Sequence, residues 1–304
     1  LKLIHFKPLN TTIFIGDKMR FKLFRQHGAL NSPSIFDAFE QGLKAQGHTV
    51  VDSNEDVAVI WSVLWHGRMR FNQHIYEECR TQNKPIIIIE VGNLKRNETW
   101  RICLNHINGL GEFGSNEDID ENRPKKLGLQ LSPPRINRGD EILIATQHEK
   151  SLQWEGMPSM SNWTMQTIDK IRKITDRPIV IRPHPRSPMP GIEHEFINVR
   201  RQTPVQVNGT YDDFDINYNY HVVINHNSGP PILAAIAGTP VITGNSSLAY
   251  PVSDIIENIE NPKLPDNRLS WFTKLTHCEW TVNELQQGIP IKRLEKFIKM
   301  QVSY

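Results

Sequence analysis

The sequence predicts two α/β domains with largely parallel sheets and a cleft between them. Three observations predict it. Strand-like and helix-like segments alternate twice along the 304 residues, a length suited to two domains. The run "KPIIIIEVG" (84–92) is apolar without alternation, as a strand buried on both faces must be. The stretch 114–140 is dense in Pro, Gly, Asn and charge, and separates the two alternating halves. The expected limits are an N-terminal domain over 1–125, a linker over 126–140, a second domain over 141–280, and C-terminal helices over 281–304 that return to the first domain.

Taken in order, "TIFIG" (12–16) reads as a short strand. "SPSIFDAFEQGLKAQG" (32–47) reads as a helix, with Ser32 as its cap, Pro33 in its first turn, and Ile35, Phe36, Phe39 and Leu43 on one stripe. "HTVVD" and "VAVIWSVL" follow as strands, then a helix over 69–83, the buried strand over 84–92 and a further strand over 99–107. The pattern restarts with the strand "EILIAT" (141–146), a helix over 161–175 capped by Ser161, and "RPIVIRPHPR" (177–186), a strand running into a loop. "YHVVIN" (220–225) and "TPVIT" (239–243) are strands that bracket a helix of small residues, and the tail is helical. Ligands of such sheets bind beyond the carboxyl ends of the strands, which puts the site in the cleft.

Composition excludes several classes. Hydrophobic content of 38%, charged content of 22% and a net charge of +2 describe a globular chain that tolerates an anionic partner without requiring one. Cys79, Cys103 and Cys278 are odd in number and lack CxxC spacing, which argues against a disulfide framework and a zinc site. No apolar run has the length of a membrane span, and "LKLIHFKPLN" lacks the apolar core of a signal peptide. The expected location is a reducing cytoplasm. P-loop, nucleophile-elbow and HExxH motifs are all missing, and the acidic "DDFDIN" (212–217) lacks EF-hand spacing, so no metal is expected.

Two stretches could hold an anion. In "RPHPR" the prolines favour extended backbone, which puts Arg182, His184 and Arg186 on one face at the end of a strand. Guanidinium forks and an imidazole N–H suit phosphate oxygens. In "HNSGPPILAAIAGTPVI" (226–242), Ser228 reads as the cap of a helix with Pro230 and Pro231 in its first turn, and Gly229 permits close approach. The prolines have no N–H. The expected donors are therefore the Ser228 hydroxyl and the Gly229 amide rather than a row of amides. Gln147, His226 and Asn227 are assigned to the same side. For acid–base chemistry, Glu90 stands at the carboxyl end of the buried strand, where a general base is useful. Asp17, Asp37, His66 and His106 are weaker choices.

With these residues in view, "IVIRPHPR" and "HVVINHNSGPPILAAIAGTPVI" resemble the donor domain of GT-B glycosyltransferases. The resemblance covers about 140–250 and implies two Rossmann-like domains, with the His-Pro element and the serine loop holding the diphosphate of a nucleotide sugar. Relatives carry an acidic ribose ligand on the small helix, whereas "PPILAAIAG" has none. A narrower similarity, through "SLAYPVSD" and "HCEWTVNELQQG", is to glycosyltransferases of large tailed phages, some of which modify hydroxymethylated pyrimidines in DNA. On that resemblance the co-substrate is a UDP- or other NDP-sugar, with no further cofactor. Glu90 is then the acceptor's base, and the location is the host cytoplasm. The acceptor is a hydroxymethylated base in double-stranded DNA, met by His66, Arg68, Arg70 and Arg101 from "HGRMR" and "KRNETWR". A glycosyl- or glycerophosphotransferase acting on a glycan or polysaccharide, a sugar-nucleotide epimerase and a non-catalytic two-domain binding protein are the alternatives.

Overall fold

The computed structural model describes residues 18–203, 205–207, 211–213 and 218–303. The expected strand at 12–16 and Asp17 lie outside the described residues, as do the side chains of "DDFDIN".

The N-terminal sheet is built from β1 (Arg20–Leu23), β2 (Thr49–Val50), β3 (Val57–Trp61), β4 (Ile86–Val91) and β5 (Thr99–Leu104). The helices α1 (Pro33–Ala45) and α2 (Asn72–Thr81) lie between them in sequence. β1 pairs in parallel with β2 and β3, and β3 with β4, whereas β5 returns antiparallel to β4. Ile87, Ile88 and Ile89 are fully buried, as the unbroken apolar run requires. Ser32 does stand at the start of α1, but its side chain makes no capping bond, and Pro33 opens the helix.

After the short helix α3 (Arg123–Lys126) comes the second sheet, which is wholly parallel. Its strands are β6 (Ile142–Ala145), β7 (Ile179–Arg182), β8 (Val199–Arg201), β11 (Val222–Asn225) and β12 (Val241–Thr243), in the order β12-β11-β6-β7-β8. A separate antiparallel pair joins β9 (Val205–Val207) to β10 (Tyr211–Asp213). The cap of α4 (Met160–Arg172) stands two residues earlier than the sequence suggests, because Ser159 rather than Ser161 accepts the capping bond from the Asn162 amide. α5 (Pro230–Ile236) has Gly229, not Ser228, at its cap. Its Ala234 and Ala235 are fully buried in the core beneath, so the small face serves close packing.

Two boundaries differ from expectation. Residues 126–140 are no free spacer. Leu129 and Leu131 pack on the second core, and the amides of Ser132 and Arg135 donate to the Ile236 and Gly238 carbonyls. The second domain also ends before 280. After α6 (Arg268–Leu275), the strand β13 (Glu279–Thr281) pairs antiparallel with β5 as the edge of the N-terminal sheet. α7 (Val282–Gln286) and α8 (Ile289–Val302) follow, and Trp280, Leu285, Ile291, Leu294 and Ile298 fill the N-terminal core beside Phe36 and Phe39. Thr281 and Glu284 form a reciprocal capping box at α7, and Glu284 also pairs with the buried Arg123.

The domains touch next to the cleft. Val63–Trp65 run against Lys150–Leu152, with the Trp65 amide donating to the Lys150 carbonyl at 2.7 Å and the Leu152 amide to the Val63 carbonyl at 3.0 Å. Among the described residues no helix is long and apolar enough to cross a membrane.

Candidate active site

A cleft of about 520 Å³ opens at the carboxyl ends of both sheets. Its N-terminal wall includes Trp61, Ser62, Met69, Glu90, Asn93 and Arg101, and its C-terminal wall includes Thr146, Gln147, His148, His184, Arg186 and Ser228.

On the N-terminal wall, Glu90, next to last in β4, is half-buried and lines the cleft. Its carboxylate accepts the Ser62 hydroxyl at 2.6 Å and the Val91 amide at 2.9 Å. Ser62 follows β3 in the left-handed region, at φ 64°, a conformation that costs a non-glycine residue energy. That twist turns its hydroxyl towards Glu90 while its oxygen accepts the Leu64 amide.

Opposite Glu90 on β5 stands Arg101, and opposite Arg101 on β13 stands Glu279. Cross-strand partners share a face, so the three charges form a row. Arg101 donates to the Ile107 carbonyl at 3.0 Å and lies 3.6 Å from the Glu279 carboxylate. Glu279 also accepts the Asn93 and Leu94 amides at 2.7 and 3.0 Å and the Thr99 hydroxyl at 2.9 Å. It therefore fixes the loop after β4. Gly92 is needed in this loop, since a Cβ there would overlap the Glu279 carboxylate and Thr99. The loop then crosses the cleft. A Cβ on Gly229 would come within 2.8 Å of the Asn93 side-chain oxygen.

The basic, aromatic-bearing surface expected at 95–101 is not formed by its aromatic and final arginine. Trp100 and Arg101 are 7% and 5% exposed, because β5 is an interior strand once β13 covers it. Arg101 belongs to the cleft floor. His66, Arg68 and Arg70 are exposed, in the loop and 3₁₀ turn after β3. Asp37 is an exposed partner of Arg25, and His106 lies outside the cleft, with burial pushing its pKa down to about 4.

On the C-terminal wall the extended run expected for "RPHPR" breaks after Pro183. The Ser187 amide returns to the His184 carbonyl at 3.0 Å, which makes a turn at Pro185–Arg186. Arg182, His184 and Arg186 thus do not form one row. Arg182 is 5% exposed, and its guanidinium donates to Gln202 and to the Tyr220 hydroxyl, both at 3.0 Å. His184 and the exposed Arg186 are carried by the turn, which the Thr146 hydroxyl anchors by accepting the His184 amide at 2.9 Å.

Ser228 remains well placed. Its hydroxyl oxygen accepts from Asn225 at 2.9 Å, which leaves its own proton to donate into the cleft it lines. Among the described residues the Gly229 amide has no protein acceptor. The other three donor-side residues are differently employed. Gln147 and Asn227 bond each other twice, at 2.8 and 3.1 Å, and Asn227 also bonds Gln153 and Ser246. These buried amides lock the loop. His226 is outside the cleft, its ring edge-on to Trp154 at 5.3 Å.

Sequence reasoning passed over His148, Glu279, Ser62 and Asn93. His148 lies between two other imidazoles in the ring contacts it makes, 5.6 Å from His66 and 5.4 Å from His184. Burial first, then the neighbouring His66, Arg186 and Lys150, push its pKa down to about 4, against a hydrogen bond with the Arg186 backbone that raises it. Burial and then His148, Arg186 and Arg96 push His184 to about 3. Both rings are neutral near pH 7. Among the described residues no cluster of His, Cys, Asp or Glu is arranged to hold a metal ion.

No family model matches the chain, and no curated protein matches it. Solved structures do. The β-Kdo 2,7-transferase of Thermosulfurimonas dismutans KpsC is 13% identical, with a TM-score of 0.50 over 90% of this chain and 100% of that one. The β-Kdo 2,4-transferase of the same KpsC is 10% identical, with a TM-score of 0.51 over 89% and 99%. These likenesses establish the fold: two Rossmann-like domains in the GT-B arrangement.

Proposed function

We propose that the chain is a glycosyltransferase that moves a sugar from a nucleotide-sugar donor to a hydroxyl acceptor. The observation that carries this reading is the asymmetry of the cleft. One wall presents a carboxylate fixed at the end of β4. The other presents His184, Arg186, the Ser228 hydroxyl and the Gly229 amide, a set of donors suited to phosphate. The GT-B fold raises the prior for this chemistry without supplying it.

In this reading the C-terminal wall holds the donor's phosphates and stabilises the charge that grows on them as the glycosidic bond breaks. Glu90 takes the proton of the acceptor hydroxyl. The Ser62 and Val91 bonds to its carboxylate hold it in one orientation. Arg182 is a buttress beneath the phosphate site. Its loss would disturb the packing of Tyr220 and Gln202 as well as the cleft.

The acceptor is proposed only as a hydroxyl. A hydroxymethylated base in DNA would be met by His66, Arg68 and Arg70, since Arg101 is enclosed. The test is incubation with a panel of nucleotide sugars, with and without hydroxymethylated duplex DNA or oligosaccharides, read by mass spectrometry. Release of free nucleotide and sugar from one donor supports a transferase, and transfer to one acceptor identifies it. Interconversion of the donor sugar without release would replace this reading with an epimerase. An unaltered donor across the panel would leave a binding protein.

A further inference from the structure

The turn between β4 and β5 carries two adjacent cations that are used differently. The amides of Glu98 and Thr99 donate to the Lys95 carbonyl at 3.0 and 2.9 Å, and the Thr99 hydroxyl donates to it at 3.1 Å. The turn so closed has Arg96 and Asn97 at its tip. Asn97 takes the left-handed position, at φ 65°, which asparagine tolerates better than most residues. Lys95 is paired with Glu98 at 2.5 Å and lies outside the cleft. Arg96 is exposed and lines the cleft, together with His184, Arg186, Ser228 and Gly229.

The loop that leads to Arg96 is tied to both domains. Glu279 accepts the Asn93 and Leu94 amides on the N-terminal side. The Leu94 side chain packs on the second core, and the Asn93 side chain lies against Gly229, where a Cβ would come within 2.8 Å of its oxygen. Two residues beyond Leu94, Arg96 therefore stands beside the C-terminal wall although it belongs to the N-terminal domain. After burial and His148, the charges of Arg186 and Arg96 push the His184 pKa down, so both guanidinium groups lie near one imidazole.

We propose that Arg96 is a donor-binding residue supplied by the N-terminal domain, which joins Arg186 in holding the donor's diphosphate. This rests on the transferase reading above and adds a residue to its phosphate site. Two guanidinium groups close to one imidazole repel each other, and a diphosphate replaces that repulsion with charge-assisted bonds. The basic run "KRNETWR" is thereby divided. Lys95 is held by Glu98, Arg101 is enclosed, and Arg96 serves the donor rather than the acceptor.

The test is titration calorimetry with inorganic pyrophosphate on Arg96→Ala, Lys95→Gln and Arg186→Ala. Arg96→Ala should bind about 10-fold more weakly than wild type, the size of one lost charge-assisted bond. Lys95→Gln removes the same charge from the same turn and should bind as wild type. Equal weakening by Lys95→Gln would mean that the charge of the turn, and not a contact by Arg96, is felt, and would overturn the proposal. If Arg186→Ala weakens binding while Arg96→Ala binds as wild type, the phosphate reading stands and Arg96 is removed from it. If the wild-type protein binds no pyrophosphate, both are overturned. Arg96→Lys separates a forked contact from a point charge at the same place. It should regain only part of the lost affinity, and binding no better than Arg96→Ala would also fit a fork, whereas affinity above wild type would overturn it.

Discussion

The two walls of the cleft come from sheets of similar plan, yet they treat polar groups in opposite ways. On the N-terminal wall the charges are tied within the protein. Glu90 is bound by Ser62 and Val91, and Arg101 by Glu279 and Ile107. Glu279 is bound by two amides and a hydroxyl. On the C-terminal wall, Nδ1 of His184 and of His148 accepts a backbone amide, while the Ser228 hydroxyl proton and the Gly229 amide face no protein acceptor among the described residues. A wall whose charges are internally paired holds one carboxylate in place. A wall with surplus donors is what the proposed phosphate site requires. The contrast supports the different tasks proposed for the two halves.

The comparison breaks most severely if the N-terminal frame is removed. Glu279→Ala leaves Arg101 enclosed without its carboxylate and frees the loop at Asn93–Leu94. The loss of one partner of a buried pair costs roughly 3–5 kcal/mol. Urea denaturation should read that loss, and an unchanged midpoint would contradict the frame.

Next in size is Glu90→Gln. The amide preserves shape but cannot take a proton, so transfer should fall about 10²- to 10⁴-fold while pyrophosphate affinity is unaffected. Initial rates with the donor identified by the panel check the first part, and calorimetry the second.

The left-handed Ser62 sharpens the point at a smaller scale. Ser62→Gly loses the hydroxyl but relieves the backbone, whereas Ser62→Ala loses the hydroxyl and keeps the strain. Alanine should therefore be less stable than glycine by about 1–2 kcal/mol, the cost of the left-handed conformation. Equal melting temperatures would show that the strain is not stored there.

The smallest effect expected is on pH dependence. In the folded chain His148 titrates at about 4 and His184 at about 3, below the ordinary value of 6.5. As pH falls below 6.5 the unfolded chain takes up protons that the folded chain refuses, so stability is present above that value and declines towards pH 4. His48, His106, His221, His226 and His277 are shifted in the same direction and add to the slope. Melting at pH 7, 6 and 5 should show the decline, and His148→Asn should flatten it slightly. A flat profile would mean that these rings are not buried neutral.

What was legible in the sequence followed from local pattern. Ile86–Ile89 and Ile142–Ala145 are continuous apolar runs, and Pro33 and Pro230 mark helix starts, so the strand ends and Glu90 could be located. The rest depended on partners far apart in the chain. Arg101 looked like a surface arginine because its acid partner, Glu279, comes 178 residues later, on a strand that crosses back to the first sheet. His226 and His148 are both single histidines beside strands, and only the fold distinguishes the one against Trp154 from the one in the cleft. The turn after Pro183 is closed by a bond to Ser187 and anchored by Thr146, and neither is implied by the prolines themselves.

The division of labour between the walls is tested most directly by one paired titration, in which Glu90→Gln and Arg186→Ala are compared with wild type for pyrophosphate affinity. The account predicts that Arg186→Ala weakens binding several-fold and Glu90→Gln leaves it as in wild type, as expected of a phosphate contact on one wall and a base on the other. Equal weakening by both, or weakening by Glu90→Gln alone, would contradict it.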